Sequence, residues 1–255
     1  DLRLRGPLQA VYRRHYRFAG DSSFFLAFGP SGPENLLAYS GFDSTYHQFN
    51  AHPLPNYAPH LIDYRAGDPV WQGNKGREVI GAVNYLSDQR LNCLSVLLNN
   101  AQGQGKNVWP YLTFQDSLIF DVSKLDQWHL LFEHAQRRGI VLRLTLTEAE
   151  NEGNFGAAFL SRAKRLYYRE MVSRFGHLPG VIWDMCEGTQ LGFDRLEVEG
   201  EYLKNLDPYG HPVMVSAAWN YSEPPLNDIV NSAPSIQGLG LPTELVETHS
   251  ETGKW

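Results

Sequence analysis

Cysteine is scarce in this chain, with only Cys93 and Cys186 among 255 residues. Each lies inside an apolar stretch of strand length, where an unpaired thiol packs as a small apolar residue. The two form no metal motif and point to no compartment. Long hydrophobic runs are also missing. Nothing approaches the roughly 18 to 20 residues that cross a bilayer, and the opening Asp1-Leu2-Arg3-Leu4-Arg5-Gly6-Pro7 has no apolar core of the kind a secretion leader carries. Positive charge is in deficit: 22 Lys and Arg against 28 Asp and Glu leave a net charge of −6, which argues against a nucleic-acid partner.

Several catalytic signatures are absent too. Gly103-Gln104-Gly105 follows a strand-like run, but Val108 stands where a third phosphate-binding glycine belongs, and Trp109-Pro110 follows instead of a helix. There is no Gly-Lys-Ser/Thr loop, no Gly-x-Ser-x-Gly elbow and no His-Glu-x-x-His. The nine histidines are scattered without zinc-type spacing. Glu148-Ala149-Glu150-Asn151-Glu152 could hold a hard cation, but a solvated acidic loop fits it several times better. The expectation is therefore a protein with neither metal nor cofactor.

What the chain has is core-forming material, with 42% hydrophobic and 20% charged residues. Its 13 Tyr, 13 Phe and 6 Trp suit stacking on sugar rings and suit a large core equally. After a polar strand and turn, Phe24 to Phe28 reads as a strand ended by Gly29-Pro30, and residues 40–76 lack any sustained period. Then regular alternation sets in. Helices are expected over 78–90, from Ser123 (with Asp126 as capping-box partner) to Gly139, over 160–175, over 193–206 and near 225–232. Strands are expected at Cys93–Leu98, Ile140–Leu146, Val181–Glu187, Pro212–Ala217 and Ile236–Leu241.

Apolar strands alternating with amphipathic helices mark a parallel sheet covered by helices. With no nucleotide loop, a (β/α)₈ barrel fits better than an open doubly wound sheet. Six strands can be counted, so the barrel is expected to be truncated after about the sixth. Residues 7–255 would form it, and residues 1–6 would be the tail of an upstream domain.

In a barrel the active site gathers at the C-terminal ends of the strands. Those ends supply Glu34 and Asn35; Asn99 and Asn100; Glu148, Glu150 and Asn151; Asp184 and Glu187; Trp219 with Asn220; and Gln237 with Thr243-Glu244. Trp109 joins them as a stacking candidate. Carboxylates, amides and indoles together suit a carbohydrate partner, since they can protonate a glycosidic oxygen, bind hydroxyls and stack on rings. Loop carboxylates can equally cap helices, the asparagines can satisfy loop backbone, and Trp109 and Trp219 can be core. Glu187 stands apart because it ends an apolar strand, where desolvation favours a protonated, acid-competent carboxyl.

The sequence resembles a family of bacterial glycoside hydrolases related to the apiosidase-like barrels of the retaining clan A type. The similar blocks are Ser31 to Tyr39 with Phe42-Asp43, Gly67-Asp68-Pro69, Gly81 to Leu86, Asn107 to Pro110, Asp121 to Trp128, Glu148 to Asn151 and Trp183 to Gln190. Members usually carry an N-terminal immunoglobulin-like domain and a C-terminal domain labelled collagen-binding. The resemblance implies an acid/base at the end of the fourth strand, where Glu187 falls. It places Glu34-Asn35, Asn99-Asn100 and Glu148 to Asn151 around the site, and a nucleophile on a seventh strand, beyond Trp255. It also implies an extracellular or periplasmic setting. One departure is clear: the family's Asn-Leu-Gly-Glu-Glu-Asn reads Asp184-Met185-Cys186-Glu187-Gly188-Thr189 here. The expected activity is retaining hydrolysis of a poly- or oligosaccharide. The alternative is a non-catalytic carbohydrate-binding barrel.

Overall fold

A computed structural model describes residues 1–11, 15–30, 32, 35–48, 50–102, 105–116, 118–156, 158–187, 192–216 and 233–240. Three short antiparallel strands come first: β1 (Leu8–Val11), β2 (His15–Phe18) and β3 (Phe24–Phe25), in the order β1-β2-β3. A parallel sheet follows, made of β4 (Cys93–Leu97), β5 (Val141–Thr145), β6 (Val181–Asp184), β7 (Val213–Ser216) and β8 (Gly238–Gly240), each beside the next in chain order. Among the described residues four α-helices accompany it: α1 (Arg77–Asp88), α2 (Val122–Arg137), α3 (Arg162–Phe175) and α4 (Phe193–Leu206).

Alternation within each strand sorts the side chains into two layers. Leu94, Val96, Leu98, Leu142, Leu144 and Leu146 pack in the large cluster with Leu125, Trp128, Leu131, Phe132, Tyr167 and Phe175 from α2 and α3. Val141, Ile182 and Met214 point the other way and meet Leu2, Leu8 and Phe18, with Tyr16 and Phe25 alongside. The antiparallel strands thus cover the inner face near the N-terminal ends of the parallel strands. A bond from Leu8 N to Pro179 O (2.7 Å) ties β1 to the turn before β6.

The expected first barrel strand, Phe24 to Phe28, is built differently. Only Phe24–Phe25 is strand, and it pairs antiparallel with β2. The chain then runs beside β4 in the same direction: Phe28 O accepts from Asn92 N (2.9 Å) and Cys93 N (3.2 Å), and Pro30 O accepts from Ser95 N (3.4 Å). Asn92 clamps this segment, its side chain accepting from Phe28 N (2.7 Å) and donating to Leu26 O (2.9 Å). Proline has no N–H to return to a ladder. A Cβ on Gly29 would lie 1.8 Å from Cys93 O, so only glycine permits the approach. The first barrel position is therefore a one-sided strip beside β4, the first of the five parallel strands among the described residues.

Helix starts follow local chemistry. α2 is capped by Asp121, whose carboxylate accepts from Lys124 N at 3.0 Å, and not by the expected Ser123 and Asp126. Both of those are engaged in tertiary bonds: Ser123 donates to Asp43 (2.6 Å), and Asp126 pairs with Arg174 (2.8 Å). Ser161 caps α3 by accepting from Lys164 N at 3.1 Å. The aperiodic stretch 40–76 adds to the large core, where Phe42 meets Trp128 of α2 with ring centroids 6.5 Å apart. Trp71 stacks on Phe42 with ring centroids 5.2 Å apart, and its indole donates to Gly41 O (2.9 Å). The helix expected near 225–232 lies outside the described residues.

α1 and α2 share a buried polar knot. His134 Nε2 lies 2.9 Å from Asn84 Oδ1, while Asn84 Nδ2 donates to Asp68 Oδ2 (2.7 Å) and Asp63 O (2.9 Å). Burial pushes the His134 imidazole down to about 4, against the opposing charge of Asp68. The unfolded chain, with its histidine near 6.5, takes up a proton that the folded chain refuses. Stability should therefore fall as pH drops from about 6.5 to about 4, with a slope from this group of up to about 1.4 kcal/mol per pH unit. Urea denaturation across that window should show the decline, and His134→Gln should flatten it. An unchanged pH profile in the variant would refute the assignment.

Candidate active site

The ladder between β5 and β6 continues beyond the regular strands. Leu146 N donates to Asp184 O (2.8 Å), Glu187 N to Thr147 O (3.0 Å) and Ala149 N to Glu187 O (3.1 Å). Glu148 and Glu187 are consequently opposed as parallel bridge partners at the C-terminal ends of adjacent strands. Counting the Phe28–Pro30 strip as the first barrel position, β4 is second, β5 third and β6 fourth. Glu187 follows the fourth strand and is half-buried, and Glu148 follows the third and is 7% exposed.

The remaining expected residues divide by what they bond. Asn99, at the end of β4, is on the inner side of the alternation that sends Leu94, Val96 and Leu98 to the helices. It is 1% exposed, and neither polar atom of its side chain has a partner among the described residues. Asn100 is occupied with its own loop: its side-chain Oδ1 accepts from Asn107 N (3.2 Å) and Val108 N (3.0 Å). Asn35 approaches the same loop. A Cβ on Gly105 would lie 2.5 Å from both Asn35 Oδ1 and Asn100 Nδ2, so the two amides meet across a bare backbone. Asn151 is buried and accepts from Gln102 N (2.7 Å), joining the loop after β4 to the loop after β5. Glu150 is exposed.

Three expected site residues sit elsewhere. Trp109 is fully buried, with Tyr46 and Phe114 at 5.0 and 5.9 Å and the Lys124 ammonium 4.8 Å from its ring. Its faces belong to the core and leave none for a sugar. Gln237 precedes β8, where its N donates to Val213 O (2.7 Å) and its side chain accepts from Val213 N (3.4 Å). Val213 pairs with Trp183, four residues before Glu187, so Gln237 lies on the N-terminal side and away from the mouth. Asp184 is deeper than expected, three residues below Glu187 and wholly buried. Glu34, Trp219, Asn220 and Thr243-Glu244 lie outside the described residues.

Asp184 has a partner that inspection of strand ends missed. Arg143, on the inner face of β5, donates to its Oδ2 through Nε (2.8 Å) and Nη2 (2.5 Å), and Ser216 of β7 adds a third bond at 2.7 Å. Arg143 also reaches the Ser216 hydroxyl. Burial lowers the Arg143 pKa, but Asp184 and then Glu187 outweigh it, so the cation is held above its ordinary range. The signal was present in the sequence: one arginine within the apolar run Ile140 to Leu146, in phase with Val141 and Thr145.

Behind the mouth a second network braces the turn after Glu148. Lys164 is fully buried and pairs with Glu152 (2.7 Å) and Glu199 (2.6 Å), and Arg195 pairs with the same two carboxylates at 2.5 and 2.8 Å. Glu152 is thereby tied to α3 and α4 through its Oε2. Among the described residues, no cluster with metal-ligand spacing occurs at the mouth; the one found, His129, Glu133 and His177, lies on the helical layer. Replacing the lysine by Lys164→Met keeps the stem and strands two buried carboxylates on one arginine. The expected cost is about 3–5 kcal/mol in urea denaturation, with partial recovery in Lys164→Met/Glu199→Gln. A loss below about 1 kcal/mol would show the network to be well solvated.

No protein-family profile matches the chain, and no curated protein matches it. Solved structures do. A glycoside hydrolase family 5 mannosidase from Rhizomucor miehei aligns with a TM-score of 0.58 at 11% identity, over 92% of this chain and 61% of its own. A family 5 glycoside hydrolase from Bacteroides vulgatus ATCC 8482 aligns with a TM-score of 0.53 at 14% identity, over 84% of this chain and 40% of its own. The endo-1,4-beta-mannanase of Rhizomucor miehei gives 0.52 at 14% identity, over 90% and 69%. This chain spans about two fifths of the length of the Bacteroides vulgatus structures it matches. Identities this low bear on fold alone. The chain is an α/β protein with the fold of part of a (β/α)₈ barrel, of the kind seen in family 5 glycoside hydrolases.

Proposed function

We propose that this chain carries the acid/base portion of a retaining glycoside hydrolase acting on a poly- or oligosaccharide. The observation that carries the reading is the opposed pair Glu148 and Glu187 at the C-terminal ends of the third and fourth strands of a partial barrel. In the proposed reaction, Glu187 protonates the glycosidic oxygen as the bond to the anomeric carbon breaks. The same carboxylate then takes a proton from the water that releases the sugar. On this reading the attacking carboxylate belongs to the seventh-strand position of the barrel. Glu148 and Asn99 are proposed to bind sugar hydroxyls beside it, with Asn35 at the rim. Asp184, through Arg143, sets the charge beneath the pair. The resemblance further supports an extracellular or periplasmic setting.

A second reading, a barrel that binds carbohydrate without cleaving it, is favoured by the sequence after Glu187. Gly188-Thr189 stands where the resembling family has a second glutamate and an asparagine. Turnover of natural and aryl glycosides by the intact protein separates the two, because binding without turnover supports the second. In an active protein, Glu187→Gln should lower turnover of natural glycosides by about 10²–10⁴-fold. Aryl glycosides with good leaving groups should lose much less at the first step, and azide should restore their turnover by replacing the activated water. Unchanged hydrolysis in the variant would remove Glu187 from the mechanism.

A further inference from the structure

The outer helical layer holds a cluster that sequence spacing does not announce. His129 and Glu133 are one turn apart on α2, so both project from the same face. His177, 44 positions beyond Glu133, follows the end of α3 and meets them from the side. The Nε2 atoms of the two histidines are 3.2 Å apart, and His129 Nε2 is 3.6 Å from Glu133 Oε1. All three donor atoms lie within 4.8 Å of one another.

Tetrahedral zinc with bonds of about 2.0–2.2 Å to nitrogen and oxygen requires donors about 3.3–3.6 Å apart. The two measured edges fall close to that range. Arg137 donates to the other carboxylate oxygen, Glu133 Oε2, at 2.9 Å, which orients the group and leaves Oε1 directed at the histidines. The nearby cation Arg174 is paired with Asp126 (2.8 Å) and Glu170 (2.6 Å), which offset part of its charge.

We propose that His129, Glu133 and His177 form a surface site for a borderline divalent transition metal, Zn²⁺ foremost. Two imidazoles and one carboxylate suit zinc far better than magnesium or calcium, which take oxygen shells. The fourth position is left to water. His177 precedes β6 and Glu187 follows it, so the site lies toward the opposite end of the barrel from the proposed acid/base. A metal there would clip α2 to the turn between α3 and β6, and its effect would be on stability.

The test is calorimetric titration of ZnCl₂ into chelator-stripped protein, with thermal melts in Zn²⁺ and in EDTA. One equivalent should bind, Zn²⁺ should raise the melting temperature, and Co²⁺ should give the intense visible bands of a four-coordinate site. His129→Ala and His177→Ala should each weaken binding by at least about tenfold and abolish the thermal shift. His60→Ala, which alters a histidine outside the cluster, should leave both intact. His129 and His177 are partly or largely exposed, so melts in EDTA should show both variants folded. Absence of saturable one-equivalent binding, or wild-type affinity in both cluster variants, would overturn the proposal.

Discussion

A parallel ladder transmits register from strand to strand, and everything at the mouth of this molecule depends on that transmission. Thr145 opposite Asp184 requires Glu148 to stand opposite Glu187 three residues later, provided the pairing continues. The bonds through Thr147, Glu187 and Ala149 continue it. A slip of one residue would send one carboxylate to the helices and the other to the interior. The proposed chemistry thus rests on hydrogen bonds that involve neither carboxylate.

Two buried charge networks hold that register from opposite sides. Inside, Arg143, Asp184 and Ser216 link β5, β6 and β7 at one level. Outside, Lys164, Arg195, Glu152 and Glu199 join the turn after Glu148 to α3 and α4. Burying charge costs several kcal/mol per ion, and attraction within the pair offsets it only when geometry is good. Such networks contribute little net stability over apolar packing. They penalise any arrangement that separates the partners, which makes them suited to fixing relative positions around a site.

The N-terminal strands perform a complementary task. Leu2, Leu8 and Phe18 supply the apolar surface that Val141, Ile182 and Met214 need on the inner face. Without that cover the lower interior would be wet. Tyr16 belongs to the same layer, and burial followed by the charge of Asp184 pushes its phenol up to about 12. It therefore remains a neutral neighbour of the Arg143–Asp184 pair at physiological pH. The dry floor and the polar mouth are two ends of one strand-lined space.

Patterns repeating over a few residues were legible directly. The apolar spacing of Leu125, Trp128, Leu131, Phe132 and Ala135 makes α2 on any scaffold, and the runs at Cys93, Val141 and Val181 become β4, β5 and β6 because each must bury both faces. Strand ends marked by Asn99, Glu148 and Glu187 followed from the same periodicity. Whatever required two distant segments to meet was decided by the tertiary structure. Ser123 left its capping role because Asp43 was within reach, Trp109 went to the core because Lys124 and Tyr46 closed over it, and Gln237 fell at the wrong end because β8 starts later than its apolar run suggests. Arg143 with Asp184, and His177 with His129, are separated by about forty residues or more, and no local rule spans such an interval. Sequence alone determines which segments can be strands and helices, since that depends on neighbours along the chain; which polar groups face one another depends on the packing of those segments.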